Sequence, residues 1–250
     1  MIETLDHGDI RELRLSRPPV NALSPELLAG LGTAVASAPA AGARAIVISG
    51  AAGTFSAGLD VPLLLTLSQP ALSQTWRDLY RMLRSIACSE IPIAAAVTGH
   101  APAGGTVIAM FCDYRVAAEG DWKLGLTEVQ VGLQLPPVIL AALRREVGAR
   151  TAERLAVNGS LISPAEALRC GLVHELAPPQ LVIDRALKWC RDLLALPPLA
   201  MSATRKDARS DLHQLFHRGL DEEVETMSRF WSNHETQTAL HAMVARLKKK

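Results

Sequence analysis

Two short segments rich in glycine and alanine are the parts of this chain best suited to chemistry. Phe55-Ser56-Ala57-Gly58-Leu59-Asp60 follows the apolar run Ala45–Ser49, and Gly99-His100-Ala101-Pro102-Ala103-Gly104-Gly105 follows the run Pro92–Val97. Small side chains let a ligand come close to the backbone, and amides at a helix start have no partner inside the helix. Two such amides aimed at one point make an oxyanion hole, which stabilises charge developing on a carbonyl oxygen. Either segment alone is equally well explained as a tight turn. Neither carries the Gly-Lys-Ser/Thr of a phosphate loop, and Gly-x-Gly-x-x-Gly is absent. Ser56 falls short of a hydrolase nucleophile elbow because Thr54 stands where that motif needs glycine, so it reads as structural.

The elements that must position these segments follow from hydrophobic periodicity. Ile10–Leu15 alternates apolar and polar residues, as a half-buried strand does, and Pro18-Pro19 stops it. Ser24-Pro25-Glu26 predicts a helix start, with Leu27, Leu28, Leu31 and Val35 at helical spacing. Ala45–Ser49 and Pro92–Val97 are short apolar runs expected of strands buried on both faces. Helices are expected over Ser73–Ala87, Gly104–Phe111 and Pro137–Glu146, and strands over Tyr114–Ala117 and Val173–Leu176. Ser163-Pro164-Ala165-Glu166 has the form of a capping box. This alternation predicts an α/β fold of parallel strands covered by helices. After about residue 177 helical pattern dominates, for packing on the core or against another subunit.

Composition narrows the function. Lys plus Arg number 26 against 25 Asp plus Glu, so charge gives no case for nucleic acid as a partner. No apolar stretch reaches the ~20 residues of a membrane span, and acids occupy the N-terminus where a signal peptide has bases. Cys88, Cys112, Cys170 and Cys190 are too far apart for a metal or redox pair, which suits a reducing, cytoplasmic setting.

Four motifs in register carry a family resemblance: Pro19-Val20-Asn21-Ala22-Leu23-Ser24, Phe55–Asp60, Gly99–Gly105 and Cys112-Asp113-Tyr114-Arg115. Together they resemble the crotonase (enoyl-CoA hydratase/isomerase) superfamily along essentially the whole chain. The resemblance implies a crotonase-like spiral of ββα repeats over residues 1–195. It also implies a C-terminal helical oligomerisation region over 196–250 that builds homotrimers or dimers of trimers. The backbone N–H groups of Leu59 and Gly104 would hold a thioester oxygen, and Ala57 would lie against the coenzyme A adenine. Hydratases of this superfamily use two glutamates. The position of the first is Val107 here, whereas the second matches Glu128 in Gly125-Leu126-Thr127-Glu128-Val129-Gln130-Val131-Gly132.

A lone carboxylate beside an oxyanion hole suits proton transfer better than water addition, and the motifs are most similar to 3,2-trans-enoyl-CoA isomerases of the mitochondrial type. Glu128 would then move a proton from C2 of a 3-enoyl-CoA to C4 in fatty acid degradation, with no metal and no cofactor beyond the substrate's own coenzyme A. Ala101 departs from the cysteine often found there. Rival readings are hydration or other enolate chemistry, a silent acyl-CoA binder, and, more distantly, a serine hydrolase. Weaker candidates are Trp76 and Val107 for the acyl pocket, His100 beside the second segment, and the Lys248–Lys250 tail for a phosphate. Asp60 is expected to cap a helix.

Overall fold

The computed structural model describes residues 1–217 and 219–247. In chain order its strands are β1 (Ile2–His7), β2 (Ile10–Leu15), β3 (Ala45–Ser49), β4 (Gly53–Thr54) and β5 (Ile93–Val97). They continue with β6 (Gly99–Pro102), β7 (Tyr114–Ala118), β8 (Leu124–Gly125), β9 (Leu161–Ile162) and β10 (Glu175–Ala177). The helices of the first half are α1 (Pro25–Ser37), α2 (Val61–Leu64), α3 (Gln69–Ala87), α4 (Gly104–Phe111), α5 (Pro137–Val147) and α6 (Ala149–Asn158). Those of the second are α7 (Pro164–Arg169), α8 (Val182–Leu194), α9 (Pro198–Ala208), α10 (Ser210–Gln214), α11 (Asp221–Trp231) and α12 (His234–Leu247).

Two sheets share these strands. The larger runs β1-β2-β3-β5-β7-β10 and the smaller β4-β6-β8-β9. Each successive unit thus gives one strand to each sheet before its helix: β3, β4 and α3, then β5, β6 and α4. This is the ββα spiral. The sequence reading found the long strand of each unit but missed the short one. β4 and β8 have two residues each and are half glycine, too short to show a period of two. Gly99–Pro102, read as a turn, is a strand paired with β4 and β8.

Most of the larger sheet is parallel, as expected, but it opens with an antiparallel hairpin, β1 on β2, across Gly8-Asp9 with Gly8 at φ 68°. The two cores sort by strand period. Ile46, Ile48, Ile93, Ala95 and Val97 face the main helical core, whereas Ala45, Val47, Ala94 and Ala96 face α8. Burial on both sides is why these runs contain no polar alternation. The third helix starts at Gln69 rather than Ser73, because Pro70 sits in the first turn, where its missing N–H costs nothing. The Ser24 and Ser163 caps form as the sequence predicts, the latter as a full capping box.

The C-terminal helices divide. α11 packs on α3, and α12 packs on the 3-10 turn Glu128–Val131. In contrast α9 buries no residue, and its Leu199 is 88% exposed.

Candidate active site

The two glycine-rich segments converge. A Cβ added to Gly58 would lie 3.0 Å from the amide nitrogen of Gly104, and one added to Gly104 would lie 3.2 Å from Gly58 Cα. Only residues without that atom let the two backbones meet so closely, and Gly58 also needs its freedom at φ 82°.

Around Leu59 the chain is pinned on both sides. Leu23 N–H donates to Gly58 O (2.8 Å) and Asp60 N–H donates to Leu23 O (3.1 Å). That bridge turns the intervening Leu59 amide away from Leu23, and among the described residues it has no recorded acceptor. Asn21 braces the segment from beneath. Its side-chain amide donates to Phe55 O (3.1 Å), its backbone carbonyl accepts from Ser56 Oγ–H (2.8 Å), and Ser56 Oγ in turn accepts from Gly58 N–H (3.2 Å). Ser56 is therefore structural, as its motif context implies. Asn21 stood inside a quoted motif without a role, and its function as a brace becomes visible only from its buried contacts. Asp60 caps α2 through Leu63 N–H (3.1 Å) and pairs with Arg17 at 2.6 Å.

On the second segment Ala103 has φ 48° and ψ −119°, a conformation that strains a residue with a Cβ. This kink ends β6 and opens α4, so the amide of Gly104, the first helical residue, has no partner within the helix. Ala103 N–H donates to Gly125 O (2.7 Å), and Gly125 N–H donates to Thr106 Oγ (2.8 Å). These two bonds tie α4 to the strand that leads into Glu128, fixing that residue relative to the Gly104 amide.

Glu128 begins the 3-10 turn, which Gly132 closes at φ 74°. Thr236 on α12 locks it by donating to Gly132 O at 2.8 Å. The Glu128 Oε2 atom is buried with no hydrogen-bond partner among the described residues. Burial pushes the carboxyl up to about 7, against the opposing pull of the backbone amides of Glu128 and Thr127. A carboxylate poised there suits general-base work near neutral pH.

An apolar cavity of about 120 Å³ brings these parts together, lined by Ala57, Leu59, Gly104, Val107 and Glu128 among others. Val107 lines it with an isopropyl group. Trp76 is elsewhere, fully buried edge-on against Trp231 at 5.4 Å, while its neighbour Leu79 lines the cavity. His100 is also outside the lining, since its ring accepts Lys123 N–H (3.2 Å) and packs edge-on to Trp122. Met227 and Met243 complete the wall from α11 and α12. Sequence reasoning missed both, because nothing local shows which distant helix closes a cavity. Lys248–Lys250 lie outside the described residues.

Residues 6–250 match the enoyl-CoA hydratase/isomerase family. The chain belongs to this family. It is 30% identical over 251 residues to human mitochondrial enoyl-CoA delta isomerase 1, covering 99% of this chain and 83% of that protein. The corresponding mouse protein is 28% identical over 253 residues, covering 100% of this chain and 88% of the mouse protein. A probable enoyl-CoA hydratase, EchA17 of Mycobacterium tuberculosis (strain ATCC 25618 / H37Rv), is 34% identical over 207 residues, covering 81% of this chain and 77% of that one. In three dimensions the crystal structure of human mitochondrial delta3-delta2-enoyl-CoA isomerase is similar at a TM-score of 0.93, with 29% identity over 99% of this chain and 98% of the other. Family members named as isomerases and as hydratases thus both resemble the chain, and the carboxylates of the site must decide between the two chemistries.

Proposed function

We propose that this enzyme isomerises 3-enoyl-CoA to 2-trans-enoyl-CoA, with Glu128 as the single acid and base. The thioester oxygen accepts from the amides of Leu59 and Gly104, each contributing about 3 kcal/mol to the enolate. Glu128 takes a proton from C2, the double bond migrates, and the same carboxyl returns the proton to C4. Ala57, at the cavity lining, lies against the coenzyme A adenine. One base moving one proton needs no metal and no further cofactor, since coenzyme A arrives with the substrate.

The observation that carries this reading is one buried carboxyl, its Oε2 without a partner among the described residues, in an apolar cavity that Val107 also lines. Hydration calls for a second acid to hold the water, and among the described residues the cavity lining offers none. Purified enzyme given a 3-enoyl-CoA should generate conjugated-thioester absorbance, and Glu128→Gln should lose about 10³-fold in rate. Absence of that signal, or water addition to crotonyl-CoA at a comparable rate, would overturn the proposal.

The exposed apolar side of α9, with Leu199 at its tip, supports assembly into trimers or pairs of trimers through residues 196–250. Cys88, Cys112, Cys170 and Cys190 are all free thiols, which suits a reducing compartment such as the cytoplasm, although the mammalian relatives are named mitochondrial. Among the described residues no helix is long and apolar enough to cross a membrane.

A further inference from the structure

The acyl cavity has a neighbour. A second chamber, of about 400 Å³, lies between Tyr80 on α3, the segment Gln134–Pro137 before α5, and residues Glu222 to Arg229 on α11. Met227 and Pro136 line both chambers. Elsewhere the two spaces are served by adjacent residues of the same elements: Leu79 lines the first and Tyr80 the second, Leu133 the first and Gln134 the second. The partition between them is therefore one side chain thick at Met227. The pyrrolidine ring of Pro136 is fixed, but methionine has three rotatable side-chain bonds and a soft thioether that repacks at little cost.

We propose that Met227 is a chain-length gate: when its side chain swings aside the chambers join, and the distal part of a long acyl chain runs past it along the Tyr80 ring. This rests on the reading of the smaller cavity as the acyl site. The smaller cavity holds the reacting carbons and little more, while the larger has roughly three times its volume. The Tyr80, Pro136 and Pro137 rings give an alkyl tail apolar contact. Gln134, Thr226, Arg229 and the acidic Glu222 and Glu223 give the same chamber polar walls as well, as suits a place where the chain end leaves the protein. Short acyl chains stop at Met227 and gain nothing from the second chamber. Long ones displace the thioether and gain contact for every methylene beyond it.

The test measures binding of saturated acyl-CoAs, which are not turned over, by titration calorimetry on the full-length protein. Butanoyl-, octanoyl- and dodecanoyl-CoA are compared on wild type, Met227→Ala and Met227→Phe. Affinity should rise with length on wild type. Met227→Phe, which bars the passage with a stiff ring, should cut the dodecanoyl-to-butanoyl affinity ratio by about tenfold, and Met227→Ala, which opens it, should raise the ratio. An unchanged ratio in both variants, or wild-type affinity that falls beyond butanoyl-CoA and stays so in Met227→Ala, overturns the gate. Should either variant fail to fold, the other still decides. Binding without any isomerisation would refute the proposed reaction and leave the gate standing; no binding of any acyl-CoA would refute both.

Discussion

Glu128 holds its Oε2 atom out of reach of any donor among the described residues, and burial raises its carboxyl to about 7. Two consequences with opposite signs follow. As a base it must be ionised, so kcat/KM should climb with pH up to about 7 and level off above it, a profile absent from Glu128→Gln. Stability runs the other way. Between the ordinary glutamate value of 4.5 and about 7 the folded chain keeps a proton that the unfolded chain has lost, so this residue's contribution falls as pH rises through that window. Glu128→Gln should therefore raise the melting temperature at pH 8, by at most about 3 kcal/mol of stability, and change it little at pH 4. Thermal melts of the two proteins at both pH values check this. The position of Glu128 was legible because its motif lies within a few residues of sequence. Leu126, Val129 and Leu133 around it signalled its burial, and Leu126 and Leu133 are buried while Val129 is 40% exposed; the lock on the turn from α12, more than 100 residues later, was not legible.

Among the elements, the Ala103 kink and the Glu128 turn do the positioning. A non-glycine residue at φ 48° and ψ −119° costs of order 1–3 kcal/mol. Ala103→Gly should recover about 1 kcal/mol of that, or roughly 2–4 °C in a chain of this size. Thermal unfolding reads it directly, and an unchanged or lower Tm would mean the kink is unstrained. At the other turn, Thr236→Val keeps the shape of the side chain and deletes only the hydrogen bond to Gly132 O. We expect kcat to fall by about tenfold with little change in KM, because the base is misplaced while the binding surfaces stay intact. Equal kcat in the variant would show that α12 merely covers the turn. Caps and long buried strands were readable here because a serine two bonds from its own backbone, or five apolar residues in a row, leaves few alternatives. The short strands of the second sheet were not, since two residues of Gly53-Thr54 carry no pattern of their own.

For the molecule as a whole, the proposed catalysis draws on helices remote in sequence from Glu128. Met227 and Met243 close the cavity, so deleting α12 should abolish isomerisation even though Glu128, Leu59 and Gly104 all remain. α9 turns its apolar residues outward, and Leu199→Glu should shift the protein towards monomer in light scattering without touching the site. The sequence reading left the C-terminal helices a choice between the chain's own core and another subunit. α11 and α12 take the first course, whereas α9 is tied to this chain through Arg205, which donates to Asp113 and Ser89 O, and leaves Leu199 88% exposed. Hydrophobic periodicity shows that a helix has an apolar face, and only tertiary structure shows what that face meets.

The central claim, that one carboxyl carries one proton between two carbons inside a dry cavity, is tested most directly by isotope transfer. A 3-enoyl-CoA deuterated at C2 is converted in ordinary water, and deuterium at C4 of the first-turnover product is measured by mass spectrometry. Substantial retention at C4 is the expected result. Complete loss of the label to water from the first turnover would contradict the account, because the proton would then have travelled through solvent rather than on Glu128.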